Sequence, residues 1–140
     1  MFSQCIRHVM EREKMLTAGP QTTVGEAAKL MAVSGVSAIV VVEDEGLVGI
    51  FTERDAVFRV IAQERDARTT RLADVMTSAP MTVGPDRSFG YALQLMHEYG
   101  FRHVPVVENG KPVGMVSSRD ALDPDMEDFV SEVRRREGIR

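Results

Sequence analysis

The sequence has little of several features that would point to particular classes of protein. Cys5 is its only cysteine, so the chain forms no internal disulfide, and a reducing compartment such as the cytoplasm is the natural expectation. No apolar run approaches the roughly 18 residues expected of a membrane-spanning helix. The first residues do not combine a basic stretch with an apolar one. We therefore expect a soluble, unexported, cytoplasmic protein that does not act at a membrane.

Clustered positive charge is also missing. The formal net charge is −4, and no long basic run occurs. Proteins that bind nucleic acid polymers neutralise many phosphates with lysine and arginine, so DNA or RNA binding is not expected, although one small anion could still bind. His8, His97 and His103 have no cysteine or carboxylate spacing around them that indicates a metal cluster. We expect no metal site.

The sequence does contain an internal repeat, which is its most informative feature. The segment 49–57 matches the segment 114–122, an offset of 65 positions. The same offset continues upstream without a gap and pairs Val41-Val42-Glu43 with Val106-Val107-Glu108, Gly35 with Gly100, Leu30-Met31 with Leu95-Met96, Ala27 with Ala92, and Gly25 with Gly90. Farther upstream, Val9-Met10 matches Val75-Met76 at an offset of 66. We predict two units, 1–68 and 69–140, which carry an N-terminal and a C-terminal helix respectively.

Each repeat predicts a short strand, a helix, a hairpin and a second helix. In the first repeat, Thr23 marks the start of the first helix and Gly35 its end. The apolar stripe of that helix is Val24, Ala27, Ala28 and Met31. Asn109-Gly110 marks the hairpin turn of the second repeat. The second helices begin near Thr52 and Ser117. Because neither repeat can bury both faces of its small sheet alone, we expect the two to pack together.

The order of elements and the motifs resemble the cystathionine-β-synthase (CBS) domain family, whose members occur as tandem pairs. The family motif Gly-hydrophobic-x-Thr/Ser-x-x-Asp is present as Gly49-Ile50-Phe51-Thr52-Glu53-Arg54-Asp55 and as Gly114-Met115-Val116-Ser117-Ser118-Arg119-Asp120. The segment Gly100-Phe101-Arg102-His103-Val104-Pro105-Val106-Val107 also follows the family pattern. The first copy departs from it, because Val40 stands where a proline is usual. The resemblance covers nearly the whole chain.

The resemblance implies an α/β (α+β) fold in which two β-α-β-β-α repeats pack with pseudo-twofold symmetry. Two clefts would lie between the repeats. In families like this one, such clefts commonly bind adenosine nucleotides or their relatives. The expected ligands are therefore AMP, ADP or ATP, with NAD and S-adenosylmethionine as further candidates. Two such modules often associate, so a homodimer is also expected.

The resemblance also assigns roles to the two motifs. Asp55 and Asp120 would accept hydrogen bonds from ribose hydroxyls, and Thr52 and Ser117 would contact ribose or phosphate. A carboxylate suits the first role because it can accept from both hydroxyls of a ribose diol. The alternative is that each pair only caps a helix, with the hydroxyl and the carboxylate each satisfying a backbone N–H group.

By the same resemblance, the base would lie against the strands that contain Ser37-Ala38 and Arg102-His103. Arg102-His103 would also contact phosphate, whereas Ser37-Ala38 is neutral. Arg54 and Arg119 could reach phosphate in either cleft. We therefore expect two unequal clefts, of which the one with Arg102 and His103 prefers a phosphorylated ligand. The alternative for these cations is a solvated surface charge or an ion pair.

Both ends of the chain predict amphipathic helices. The N-terminal stripe is Phe2, Cys5, Ile6 and Val9, and the stripe after Asp125 is Met126, Phe129, Val130 and Val133. Arg134-Arg135-Arg136 lies near the end of the second helix, where cations are favourable. Its apolar face packs on the same chain or, alternatively, against the N-terminal helix in a dimer.

These observations predict a sensor that binds an adenosine nucleotide and regulates a separate, unknown effector protein. No acid–base pair, metal set or nucleophile elbow can be found in the sequence, so we expect no enzymatic activity. One alternative is an interaction scaffold that dimerises without a ligand. The other, an enzyme of nucleotide hydrolysis or transfer, has no support in the sequence.

Overall fold

A computed structural model of the 140-residue chain describes residues 2–10, 14–121 and 132–138. In the first half, the elements are helix α1 (Ile6–Met10), strand β1 (Thr17–Ala18), helix α2 (Val24–Ser34), strands β2 (Ala38–Glu43) and β3 (Gly46–Thr52), and helix α3 (Glu53–Asp55), which continues as a π-helix (Ala56–Ile61). In the second half, they are helix α4 (Leu72–Val75), strand β4 (Thr77–Ser78), helix α5 (Phe89–Tyr99), strands β5 (His103–Glu108) and β6 (Lys111–Ser117), and a 3₁₀-helix (Ser118–Ala121).

The strands form two sheets that repeat the same pattern. In the first, β1 runs parallel to β2, β2 pairs antiparallel with β3, and β4 closes the edge beside β3. The second contains the β5–β6 hairpin, and an isolated parallel bridge joins Val83 to Val106. That bridge is the counterpart of the β1 pairing of Ala18 with Val41, at the repeat offset of 65 positions. The register of the structure therefore follows the register of the sequence repeat.

Local signals place the ends of the long helices as expected. The Thr23 hydroxyl accepts a hydrogen bond from the Glu26 N–H at the start of α2 (3.2 Å), and Ser88 caps α5 in the same way. Gly35 and Gly100 end the two helices with φ of 67° and 74°. A side chain at such a φ is strained, which is why glycine suits these positions.

Both hairpins turn through two residues with positive φ, as a type I′ turn requires. These residues are Asp44 and Glu45 in the first repeat (52° and 66°) and Asn109 and Gly110 in the second (53° and 78°). Each hairpin also has a register irregularity at the corresponding place, after Val41 and after Val106. The predicted hairpins are therefore confirmed in both copies.

The short segments that lead into each repeat pack on the other repeat. The Ile6 N–H in α1 donates to the Arg87 carbonyl in the second half (2.9 Å), and Arg7 N–H donates to that of Pro85 (2.8 Å). Ile6 and Val9 are buried in the core of the second repeat, whose other members are Val83, Phe89, Ala92, Met96, Val104, Val106 and Val116. Helix α1 thus precedes the first repeat in sequence but packs with the second in space.

Helix α4 makes the reciprocal contacts. The Leu72 N–H donates to the Thr22 carbonyl (2.9 Å), and the Ala73 N–H donates to that of Pro20 (3.0 Å). Leu72 and Val75 complete the first core with Val24, Ala27, Met31, Ile39, Val41, Phe51 and Val60. A third cluster, of Ala38, Val40, Ile50 and Met115, joins the two repeats. This cluster and the contacts that α1 and α4 each make with the other repeat hold the two repeats together as one pseudo-symmetric unit. The predicted α+β fold is confirmed.

The predicted terminal helices agree with the structure only in part. Helix α1 begins at Ile6, so Phe2 lies before it and is 60% exposed. Cys5 forms an antiparallel bridge with Ser88, and its Sγ lies 3.0 Å from the Pro85 carbonyl oxygen. Residues 132–136 are helical, whereas the apolar stripe expected between 126 and 130 lies outside the described residues. Within the described ranges, the structure has no helix that is long and apolar enough to cross a membrane.

Candidate functional site

A cleft of about 1160 Å³ lies between the two repeats. One wall is the C-terminal part of α2 and the segment after it, which contribute Ala28, Met31, Ala32, Ser34, Gly35, Val36, Ser37 and Ala38. The opposite wall comes from the second repeat and contains Arg102, His103, Met115, Ser117, Ser118, Arg119 and Asp120. Lys14, Phe51, Glu53 and Ala56 complete the lining. The cleft therefore needs both repeats.

Most of the predicted site residues meet in this cleft. The second motif supplies Ser117, Arg119 and Asp120, and the two strands that would face the base supply Ser37-Ala38 and Arg102-His103. These segments are far apart in sequence. The contacts of α1 and α4 with the other repeat, and the third core cluster, hold these segments together, because they fix the sheet of one repeat beside the sheet of the other.

The second motif presents its carboxylate to the cleft. Strand β6 ends at Ser117, and the following 3₁₀-turn brings Asp120 back over the strand end, where Oδ2 accepts a hydrogen bond from the Ser117 N–H (2.9 Å). Asp120 is half-buried. In the part of the chain that the structure describes, its Oδ1 accepts no hydrogen bond. A carboxylate held by one oxygen can use the other to bind a hydroxyl group.

Basic side chains line the same cleft as this carboxylate. Arg102, Arg119 and Lys14 are exposed residues on the cleft lining, and the acidic groups among the lining residues are Glu53 and Asp120. Since these three cations outnumber the two carboxylates, the charge of the lining favours an anionic group in the cleft. An arginine guanidinium can pair with phosphate through two parallel hydrogen bonds.

His103 links the two repeats across the cleft. Its Nε2 lies 2.8 Å from the Ser37 Oγ, so the two groups share a hydrogen bond. Burial lowers the pKa of His103 below its ordinary value of 6.5; Glu53 and Asp120 oppose this shift, and Arg102 adds to it. The imidazole is therefore mainly neutral at pH 7. An anion placed beside it would favour the protonated form.

Three predicted residues of the first motif, Thr52, Arg54 and Asp55, do not line this cleft. Thr52 and Asp55 form a full capping box, in which the Thr52 N–H donates to Asp55 Oδ2 (3.0 Å) and the Thr52 hydroxyl accepts from the Asp55 N–H (3.3 Å). Arg54 lies with its guanidinium carbon 5.1 Å from the centre of the Phe58 ring. The roles predicted for Thr52, Arg54 and Asp55 stay predictions. A second cleft, of about 530 Å³, contains none of the predicted residues; it is lined by Phe58, Arg59, Gln63, Arg65, Asp74 and Val75.

Reasoning from the sequence missed the α2 wall and Glu53. Glu53 lies inside the first motif, yet it lines the same cleft as Asp120 of the second motif. The α2 residues Ala28, Ala32 and Ser34 are small, which leaves room beside the strands. The sequence contained a signal for this wall, because the residues 65 positions later in the second repeat, Leu93, His97 and Tyr99, are all larger.

The fold and the cleft together define a module of two pseudo-symmetric α+β repeats with a shared groove. The family model of the CBS domain matches residues 6–62 and 72–126. These two matches cover most of the chain, so it belongs to the CBS domain family and carries a tandem pair of CBS domains. The resemblance inferred from the two motifs is confirmed.

Curated relatives differ from this chain in length. The chain is 42% identical over 100 residues to the meiotically up-regulated gene 70 protein of Schizosaccharomyces pombe, a match that covers 71% of this chain and 14% of that protein. It is 37% identical over 107 residues to the CBS domain-containing protein YhcV of Bacillus subtilis, with 76% of each chain covered. Across four of the curated relatives, the chain spans from 14% to 58% of their length.

Solved structures have the same architecture. The CBS-domain containing protein ATU1752 of Agrobacterium tumefaciens superimposes with a TM-score of 0.75 at 31% identity, covering 84% of this chain and 95% of that one. The CBS domain pair of protein MJ0100, solved in complex with 5′-methylthioadenosine and S-adenosyl-L-methionine, gives a TM-score of 0.75 at 26% identity, with the same coverage.

Proposed function

We propose that this protein is a non-catalytic sensor whose cleft binds an adenosine-containing ligand and thereby regulates a separate effector protein. The observation that carries the proposal is the position of Asp120. Its carboxylate lies in a groove between the repeats, one oxygen is held by the Ser117 N–H, and arginine side chains line the same groove. This combination suits a ribose diol attached to an anionic group.

The sugar and the anion are assigned to the second repeat. Asp120 accepts hydrogen bonds from the ribose hydroxyls, and Ser117 contacts ribose or phosphate. Arg102 and Arg119 bind phosphate, and His103 donates to it when protonated. The support is chemical, because hydrogen bonds between ionised partners are among the stronger ones and arginine matches phosphate geometry.

The base is assigned to the space beside α2. It lies against Ser37-Ala38, and the apolar surface of Met31 and the small side chains of Ala28 and Ala32 bound the same space. An adenine ring is flat and largely apolar on its faces, so small residues that leave a slot are suitable neighbours. The backbone groups of the Ser37-Ala38 strand end can provide hydrogen bonds to its edge.

The nature of the ligand is supported by a relative and by charge. The MJ0100 domain pair was solved with two ligands that both contain adenosine. In this chain, the excess of basic side chains in the cleft favours an adenosine that carries phosphate over one that carries a sulfonium cation. On this ground we rank AMP, ADP and ATP, and also NAD, above S-adenosylmethionine.

Regulation requires that the ligand alter the shape or assembly of the module, since a ligand shifts an equilibrium only by its differential affinity for the two states. A homodimer is the proposed assembly. Val57, Phe58 and Ile61 of the π-helix are apolar and exposed, by 48%, 56% and 70%, and they form a surface that a second copy could cover. The same surface supports the alternative function, a dimeric scaffold whose assembly does not depend on a ligand.

Thermal melting with AMP, ADP, ATP, NAD and S-adenosylmethionine tests the sensor. A ligand at about 100 times its Kd adds about 2.7 kcal/mol to the free energy of unfolding. For a domain of this size, that raises the Tm by roughly 10 °C. Asp120→Ala should abolish the shift. A scaffold would show no shift with any of these ligands, and its self-association would be unchanged in Asp120→Ala.

A further inference from the structure

The pseudo-symmetry of the fold predicts a counterpart of the large cleft, on the side of Asp55 and α5. We propose that this counterpart cleft is closed from within by Arg59 and by bulky side chains of the second repeat, so that each chain binds a single ligand. In this proposal Asp55 acts as a structural clamp. The number of bound ligands rests on the proposed function, whereas the clamp does not.

The two aspartates of the repeated motif have different surroundings. Asp120 has one oxygen held by the backbone and lies on the large cleft. Asp55 has both oxygens engaged. Its Oδ2 accepts from the Thr52 N–H (3.0 Å) and from the Thr52 hydroxyl (3.3 Å), and its Oδ1 lies 3.5 Å from the Arg59 Nε. The Asp55 side chain is only 10% exposed. A ribose diol would need the oxygen that Arg59 already pairs with.

Arg59 also holds a neighbouring segment. Its Nη1 donates to the carbonyl oxygens of Met76 (2.9 Å) and Val75 (3.3 Å), at the end of α4. A single guanidinium therefore connects the first motif to the segment that leads into the second repeat. The residue 65 positions after Arg59 is Pro124, which has no charged group. The second motif cannot form the same clamp.

The part of α5 that would line the counterpart cleft also carries larger side chains. The small residues Ala28, Ala32 and Ser34 line the large cleft. Their counterparts in the second repeat are Leu93, His97 and Tyr99. The Tyr99 ring stacks with that of Phe101, with centroids 6.3 Å apart and planes 19° apart. The counterpart positions on α5 therefore carry larger side chains than those on α2, and of these Leu93 is half-buried.

A thermal double-mutant cycle on Asp55→Asn and Arg59→Gln tests the clamp without any ligand. Each single variant should lower the Tm, and the double variant should melt close to the lower of the two singles, because the second change removes an interaction that is already lost. Arg54→Gln is the matched control, since Arg54 is an exposed arginine of the same motif that contacts Phe58. Its effect should add to that of Asp55→Asn. Full additivity between Asp55 and Arg59 would overturn the clamp.

Calorimetric titration with AMP tests the single site. The wild-type chain should bind one AMP per chain, Asp120→Asn should weaken that binding, and Asp55→Asn should leave the number of sites at one. Binding of two AMP molecules by the wild-type chain would overturn the proposal. So would loss of binding in Asp55→Asn with binding retained in Asp120→Asn. Absence of AMP binding in the wild type would count against the proposed function, and the clamp would then be decided by the thermal cycle.

Discussion

Replacement of Asp120 by asparagine should weaken AMP binding while leaving the fold intact. Asparagine has the same size, and its amide oxygen can accept the hydrogen bond from the Ser117 N–H, which Asp120 accepts at 2.9 Å. The amide NH₂ group then faces the ribose in place of a charged acceptor. A hydrogen bond to a charged group contributes about 1.5–3 kcal/mol. A net loss of about 2 kcal/mol corresponds to a Kd roughly 30-fold higher.

Isothermal titration calorimetry at fixed pH and salt concentration measures this loss, and the Tm without ligand checks the fold. Asp86→Asn is the matched control, because Asp86 is an exposed carboxylate outside the cleft that pairs with Arg7. It should bind AMP as the wild type does. If Asp120→Asn bound AMP within about two-fold of the wild-type Kd, a ribose–carboxylate contact at Asp120 would be refuted.

Three further predictions concern pH, packing and assembly. Burial lowers the pKa of His103 in the folded state, so the free energy of unfolding should fall as the pH drops below the ordinary value of 6.5. His103→Gln should flatten the Tm profile in that pH range, and an unchanged slope would contradict this assignment. Gly49→Ala should lower the free energy of unfolding by about 1–3 kcal/mol in urea, because its Cβ would overlap the Met76 Sδ and lie 3.0 Å from the Thr77 carbonyl oxygen. Gly84→Ala, whose Cβ would meet no atom of the described residues within 4 Å, should be nearly neutral, and equal effects would be inconsistent with the packing. Phe58→Ser should convert the proposed dimer to a monomer in light scattering, and a monomeric wild type would exclude that dimer.

The helices and turns of each repeat could be predicted from the sequence because the residues that specify them act locally. Thr23, Gly35 and the Asn109-Gly110 turn each act through their own backbone conformation, and the structure has each of them as expected. Apolar residues at helical spacing similarly placed α2 and α5. The second motif was also readable, since the turn from Ser117 to Asp120 forms within four residues.

Contacts between distant segments could not be predicted in this way. Nothing in the local sequence of Ile6 or Leu72 indicates that each packs on the other repeat, because either apolar face could be buried by the nearer sheet. Nor did Arg59 stand out. It lies outside both motifs, and its partners at Val75 and Met76 are backbone carbonyls, which have no signature in the sequence.

The duplicated order of elements, the turns and caps, and the family can be inferred from the sequence alone, because these depend on short-range backbone preferences and on residue types that recur at fixed spacing. Which repeat α1 and α4 each pack on, and which residues share the groove, depend instead on contacts between distant segments of the chain. Tertiary contacts also give the two aspartates different surroundings, since Asp120 lies on the groove and Asp55 pairs with Arg59. The physical reason is that burial and pairing of a carboxylate depend on groups brought together by packing, and identical motifs carry no information about those groups.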